Sequence, residues 1–276
     1  MSAPKGNRVL ITGAGSGLGK ALALLFAQKG WHVALADINL ESAQNVAAEI
    51  GTPAFALSLD VTSDAAWSAA VATLQQQWGG IDVLINNAGV ATAGTVEDSP
   101  LEQWQWVLNI NLLGCVRGSR AFIPLLKLGN GGHIVNVASF AGIANPPAMA
   151  SYNAAKAAVI SLSETLRFEL APQNIGVSVA CPSFFKTALM ESSQQRAPSN
   201  GSNAAPQMER IVNRLMDTAS VTAADVAADI YDAVVHKRFL VITHPDAKQR
   251  YHLKRIAPEL YFKIARKVTA KFLEKR

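Results

Sequence analysis

The chain has 276 residues, half of them apolar, 16% charged and 7% aromatic, which excludes a disordered chain, a collagen-like repeat and a small disulfide scaffold. This length buries a full core and lies near the upper limit of a single domain. The net charge of +5 belongs to a tail: residues 248–276 hold ten Lys/Arg and two Asp/Glu, leaving 15 Lys/Arg against 18 Asp/Glu in residues 1–247, so no nucleic-acid partner is expected.

The opening, MSAPKGNRVLITG, carries no apolar run before Gly6, and no signal peptide is expected. Arg8–Thr12 reads as a first strand and Leu18–Lys29 as a helix ended by Gly30. Trp31–Asp37 is a second strand, and Asn39 is placed to cap a helix reaching Ile50, with Gly51 just beyond it. Ala54–Leu59 is a third strand, Ser63–Trp78 an Ala-rich helix and Asp82–Asn86 a fourth strand. A long helical region follows Pro100 in two pieces and reaches about Lys127. His133–Ala138, Ile175–Ala180 and Phe239–Thr243 complete seven strands, with helices over Ser151–Leu170 and Val221–Val235. The strands are continuously apolar, as they are when helices cover both faces of a parallel sheet. The pattern predicts an α/β fold, a doubly wound parallel sheet of seven strands in one domain over residues 1–247. Glu191–Gln207 is small, polar and too long for an ordinary connection, so a lid is expected within about 183–220. Cys115 and Cys181 form no metal-ligand spacing and read as buried reduced thiols; no metal is expected.

Thr12-Gly13-Ala14-Gly15-Ser16-Gly17-Leu18-Gly19 follows the first strand and opens the first helix. Such glycines allow a tight turn and close approach to a pyrophosphate, which the helix N-terminus then attracts. Asp37 ends the second strand, 18 positions after Gly19, where its carboxylate would accept from ribose hydroxyls and repel a 2′-phosphate. Ile38 follows it in place of an Arg, so NAD(H) is favoured over NADP(H). Asp60-Val61 and Asn87-Ala88-Gly89 fall at further strand ends, where ligands bind in open parallel sheets, although each also reads as plain turn chemistry. Between Leu128 and Ala155 lies a 28-residue stretch with no charge but many polar residues, which suggests the interior of a site.

Tyr152 and Lys156 stand four apart on a predicted helix and share one face. A nearby ammonium favours the phenolate, and lowering a tyrosine from about 10 to about 7 takes about 4 kcal/mol. An ordinary surface Tyr/Lys pair is the plain alternative. Together, TGAGSGLG, Asp37, Asp60-Val61, NNAG at 86–89, NLLG at 111–114, Ser139 and YNAAK at 152–156 resemble the short-chain dehydrogenases/reductases, in their single-domain branch. The resemblance runs from about Asn7 to Thr187 and implies a Rossmann-type fold.

It also implies that Tyr152 is the general acid/base and that Lys156 tunes it and holds the nicotinamide ribose. Ser139 would bind the substrate oxygen, and Asn111 would position a relay water. The cofactor would be held by Gly13, Ser16, Gly17, Leu18, Gly19, Asp37, Asp60, Val61, Asn87, Ala88, Gly89, Tyr152, Lys156, Pro182 and Thr187. One departure is Pro182-Ser183, where the family usually has Pro-Gly. The implied substrate wall, formed by Ile143, Pro146, Pro147, Met149, Phe184, Phe185, Leu189 and Met190, suits a small apolar alcohol or ketone, with Lys186 the one cation that would reach an anionic group. A homodimer or homotetramer is implied, packed through helices around 100–127 and 150–170, in the cytoplasm.

After Pro258, Leu260, Tyr261, Ile264, Val268 and Phe272 recur at helical spacing among Lys263, Arg266, Lys267, Lys271 and Lys275, a basic amphipathic helix. It would dock on the body or a second subunit, lie on an anionic membrane surface, or remain solvated. A non-catalytic NAD-binding sensor on the same fold is the alternative to an enzyme, and such relatives generally lose the tyrosine or lysine kept here.

Overall fold

The computed structural model describes residues 7–128, 131–185, 187, 189 and 205–273. Strands β1 (Arg8–Thr12), β2 (His32–Asp37), β3 (Ala54–Ser58), β4 (Val83–Asn86), β5 (Gly132–Val137), β6 (Ile175–Ala180) and β7 (Leu240–Val241) form one sheet, ordered β3-β2-β1-β4-β5-β6-β7. Every neighbouring pair is parallel. The fold class is the expected one. Only β7 is markedly shorter than its apolar run, pairing through Leu240 and Val241 alone.

The strand runs are apolar throughout because both faces are covered. Val9 and Ile11 point into a cluster with Leu22 and Phe26 of α1 (Gly17–Gln28) and Val226 and Ile230 of α9 (Ala223–Val235). Leu10, between them, joins the opposite cluster with Trp67 of α3 (Asp64–Trp78), Phe122 of α5 (Leu113–Leu128) and Leu166 of α7 (Ala150–Leu170). Local chemistry sets the helix starts. Asn39 accepts from Ser42 N at α2 (Leu40–Ile50), Ser63 accepts from Ala66 N at α3, and Thr222 and Asp225 form a capping box at α9. The region after Pro100 breaks in two, α4 (Leu101–Asn111) and α5, at Leu112.

Three described helices were not expected: α6 (Ala141–Ala144), α8 (Ala205–Asp217) and α10 (Pro245–Ile256). The expected lid lies outside the described residues over 191–204, and its last part starts α8. The tail helix forms as α11 (Pro258–Leu273), although Val268, Lys271, Phe272 and Lys275 have side chains outside the described ones. The charge boundary at residue 248 falls inside α10. Ala247 is fully buried there, in a cluster with Tyr251, Ile143 and Ala144, so the start of the basic segment is docked on the body.

A buried polar pair joins β5 to β6. Ser178 donates to Arg238 O at 2.5 Å, so the 2.7 Å contact with His133 is a donation from Nε2. Burial, aided by Lys237, pushes the ring's pKa from 6.5 down to about 4, so it is neutral at pH 7. The unfolded ring takes a proton below about 6.5 and the folded ring only below about 4, so stability is expected to fall as pH drops through that window. Between pH 7 and pH 4.5 the loss through this ring is about 2–3 kcal/mol. Urea midpoints at those two pH values should fall further in the native chain than in His133→Asn; equal falls would refute the assignment.

Candidate active site

The strand order reverses between β1 and β4, and there their C-terminal loops separate to leave a crevice. The glycine loop after β1 lies against the loop after β4 so closely that a Cβ at Gly13, which has φ +63°, would stand 2.9 Å from Ala88 Cα. Asn87 secures the contact: its Nδ2 donates to Thr12 O at 2.8 Å and to Gly13 O at 3.3 Å, while Thr12 Oγ1 accepts from Asn87 N and Ala88 N. Unlike α2, α3 and α9, α1 has no side-chain cap at its N-cap Ser16, which lines the crevice with Gly15, Gly17 and Leu18. An uncapped N-terminus beside close-packed glycines leaves backbone N–H groups facing a site for an anion.

Asp37 and Asp60 line the same crevice. The two Asp37 oxygens accept from Gly15 N and Asn39 N, both at 2.9 Å, which holds the carboxylate rigidly and leaves a lone pair on each oxygen. Asp60 Oδ1 accepts from Thr62 N and Oγ1, so this residue does the turn chemistry that its sequence also allowed, at the cavity wall. Val61 lines the wall beside it, held by Trp67 Nε1 donating to Val61 O.

Further along the cavity are Ser139, Tyr152 and Lys156. Tyr152 and Lys156 share one face of α7 as expected, with Lys156 Nζ 5.7 Å from the Tyr152 ring centre and donating to Val137 O at 2.9 Å. Burial holds the Tyr152 phenol above its ordinary 10, and a hydrogen bond with the Ser139 hydroxyl opposes that shift. Burial likewise holds the Lys156 ammonium below its ordinary 10.5. Ser139 Oγ also accepts from Ala141 N, which fixes it at the start of α6. Asn111 is fully buried and its amide bonds twice to one residue: Nδ2 donates to Val90 O and Oδ1 accepts from Val90 N, both at 2.8 Å. Gly89 belongs here by necessity, since a Cβ would stand 2.9 Å from Asn111 Oδ1 and 3.4 Å from Lys156 Nζ. Cys115 and Cys181 are free and buried nearby, their thiols pushed up to about 11 and about 12 and so protonated at neutral pH.

The cavity has a volume of about 960 Å³, room for a dinucleotide and a substrate together. Of the expected apolar wall, Pro146, Met149, Phe184, Phe185 and Leu189 line it. Ile143 packs instead towards Ala247, Pro147 does not reach the cavity, and Met190 and Lys186 lie outside the described residues. Val212 and Met216 of α8 and Arg250 of α10 also line it.

A family description, short chain dehydrogenase, matches residues 7–198. The chain belongs to the short-chain dehydrogenase/reductase family. It has the Rossmann-type fold of that family. It is 34% identical over 262 residues to the probable oxidoreductase EphD of Mycobacterium bovis, a match covering 94% of this chain and 44% of the relative. The chain therefore spans less than half the length of that protein. It is 37% identical over 186 residues, 67% of this chain and 72% of the relative, to a 3-alpha-(or 20-beta)-hydroxysteroid dehydrogenase of the same organism. A short-chain dehydrogenase from Burkholderia phymatum, solved in complex with NAD, superposes with a TM-score of 0.87 at 32% identity, covering 94% of this chain and 96% of that one.

At its departure from the family pattern, Pro182-Ser183, the chain has its own brace. Pro182 O accepts from Phe140 N at 2.8 Å. His244 Nε2 donates to Phe184 O at 2.9 Å, while Nδ1 accepts from Ser183 N at 3.3 Å and from Thr243 Oγ1 at 2.7 Å. The brace carries the chain on to Thr187, whose Oγ1 would lie 3.1 Å from a Cβ at Gly17, so this hydroxyl sits over the glycine loop. A lone His after a short strand gave no sign of this role. His244→Ala removes two loop hydrogen bonds of about 1 kcal/mol each, and a rise in KM of about 10-fold with a smaller change in kcat is expected. Unchanged KM in steady-state assays would show that the brace is dispensable.

Proposed function

We propose that the chain is an NAD(H)-dependent oxidoreductase that interconverts a secondary alcohol and a ketone on an apolar substrate, with Tyr152 as general acid/base. The observation that carries this reading is the convergence of Ser139, Tyr152 and Lys156 with the glycine crevice on one cavity. The crevice residues fit a dinucleotide: the close-packed glycines and the uncapped start of α1 suit a pyrophosphate, and the anchored Asp37 carboxylate suits ribose hydroxyls and disfavours a 2′-phosphate. NAD would be held by Gly13, Ser16, Gly17, Leu18, Gly19, Asp37, Asp60, Val61, Asn87, Ala88, Gly89, Lys156, Pro182 and Thr187, and when bound supplies the hydride acceptor or donor.

The rest belongs to the chain's own groups. The Ser139 and Tyr152 hydroxyls bind the substrate oxygen, and Tyr152 takes or returns its proton. Lys156 presents a buried positive charge that favours the phenolate. Asn111 fixes the backbone at Val90 and, as the family resemblance implies, would position a relay water. Met149, Phe184, Val212 and Met216 exclude water around the reacting carbon. A homo-oligomer through α4, α5 and α7 is part of the proposal, supported by exposed Leu101, Leu113 and Phe168 on those helices. The test is calorimetric titration with NADH, then NAD-linked turnover of a panel of lipid, steroid and aromatic carbinols beside polar sugars. Binding with turnover of the apolar compounds supports the reading; no NADH binding, or turnover of sugars alone, overturns it.

A further inference from the structure

The basic segment does more than add charge. Helix α10 is pinned at both ends to the two walls of the substrate end of the cavity. At its start His244 holds the loop after β6 through Ser183 and Phe184. Near its end Lys254 Nζ donates to Ile143 O, and Tyr261 at the start of α11 donates to Ala144 O at 3.3 Å, so both seat on the carbonyl end of α6. The Lys254 ammonium also lies 5.8 Å from the Tyr261 ring centre. Arg250 is one turn before Lys254, on the same face, and lines the cavity with Ala144, Pro146, Ser183 and Phe184.

The charges along the cavity are unequally placed. Among the described residues lining it, the acids are Asp37 and Asp60, at the strand ends assigned to the nucleotide. The cations are Lys156, buried beside Tyr152, and Arg250. Asp246, outside the lining, holds Arg250 Nη2 at 2.8 Å from one turn back, an exposed pair that orients the guanidinium and leaves further N–H donors for a ligand. We propose that Arg250 is a specificity-determining residue that binds an anionic oxygen group, a carboxylate or a phosphate, at the far end of an otherwise apolar substrate. The substrate class is then an amphiphile, an alcohol or ketone set in hydrocarbon with a terminal anion, and its chain runs from Tyr152 past Phe184 to the rim. This inference rests on the alcohol/ketone reading of the cavity.

The experiment has a binding arm and a turnover arm. In the first, the NADH-loaded protein is titrated with dodecanoate, dodecyl phosphate and dodecan-1-ol, in the native form and as Arg250→Gln. Native protein should prefer one or both anions over the alcohol by about fivefold, the yield of one exposed charge pair, and Arg250→Gln should erase the preference. Which anion is preferred separates carboxylate from phosphate chemistry. In the second arm, 11-oxododecanoate and its methyl ester are compared as substrates. Arg250→Gln should lower kcat/KM for the acid about fivefold and leave the ester within twofold. Turnover of both with no effect of Arg250→Gln on their ratio overturns the anion site and leaves the reaction standing. Arg250-dependent anion binding without turnover of either compound overturns the reaction and leaves the anion site standing. No anion preference in the native protein overturns the anion site outright.

Discussion

Tyr152→Phe is expected to lower kcat by about 10²- to 10⁴-fold while leaving NADH affinity within about threefold. The substitution removes one oxygen and keeps the ring, which packs with Ala91, Ala93, Met149, Met208 and Val212. No cavity opens, so the melting temperature should hold and any loss of turnover is chemical. The direction of the pKa shift adds a second readout. In the chain alone burial holds the phenol above 10, while the neighbouring ammonium donates to Val137 O. In the chain alone the proton therefore stays on Tyr152 at neutral pH. Oxidation of the alcohol needs the phenolate and reduction of the ketone needs the phenol. Turnover in the oxidative direction should rise with pH and in the reductive direction fall with it, and Tyr152→Phe should abolish both slopes. Stopped assays across pH 6–10 with NAD and with NADH measure this; a Phe variant that keeps turnover and both slopes would remove Tyr152 from the reaction.

The parts of the molecule that were legible in the sequence are those with short-range signals. Continuous apolar runs such as Val9-Leu10-Ile11 announced strands buried on both faces, because successive side chains enter opposite clusters. Asn39 and Gly51 bracketed α2, and Pro100 opened the helical region that breaks at Leu112. Tyr152 and Lys156, four apart, were bound to share a face once a helix formed. What stayed hidden depends on long-range packing. The five residues at Phe239–Thr243 look like a full strand, but the chain leaves the sheet after Val241 and β7 keeps two. Helix α10 is strongly polar, with Ala247 its one buried residue, so no apolar stripe marked it. Its seat on α6 is made by Lys254 and Tyr261 reaching backbone carbonyls, contacts that carry no pattern in sequence. The charge arithmetic found the segment and missed its partner, and for the same reason Arg250 was missed as a wall of the cavity. Asn111 shows the converse. Its position was legible, yet its amide clasps the Val90 backbone, a duty that only the fold reveals.

Gly19→Ala is expected to weaken NADH binding by roughly 10- to 100-fold and to lower the melting temperature together with it. In an exposed helix the same change would stabilise, by about 1 kcal/mol. Here the sign reverses for steric reasons. Gly19 lies in the first turn of α1 and is buried, and a Cβ there would overlap Gly13 O and stand 2.8 Å from Asn87 Nδ2. Neither neighbour yields cheaply. Gly13 O belongs to the backbone of the tight loop, and Asn87 Nδ2 is held on Thr12 O at 2.8 Å. The helix or the loop must move, and typical overpacking costs about 1–3 kcal/mol. A loop pushed off its position misplaces the N–H groups offered to the pyrophosphate, so affinity and stability fall through one displacement. Ser16→Ala is the control: its side chain is exposed and makes no cap bond, so stability should hold. Calorimetry with NADH and thermal melts of both variants read the two effects. A Gly19→Ala protein that binds NADH as the native chain does would show that the close approach of α1 to the loop is not what the site uses.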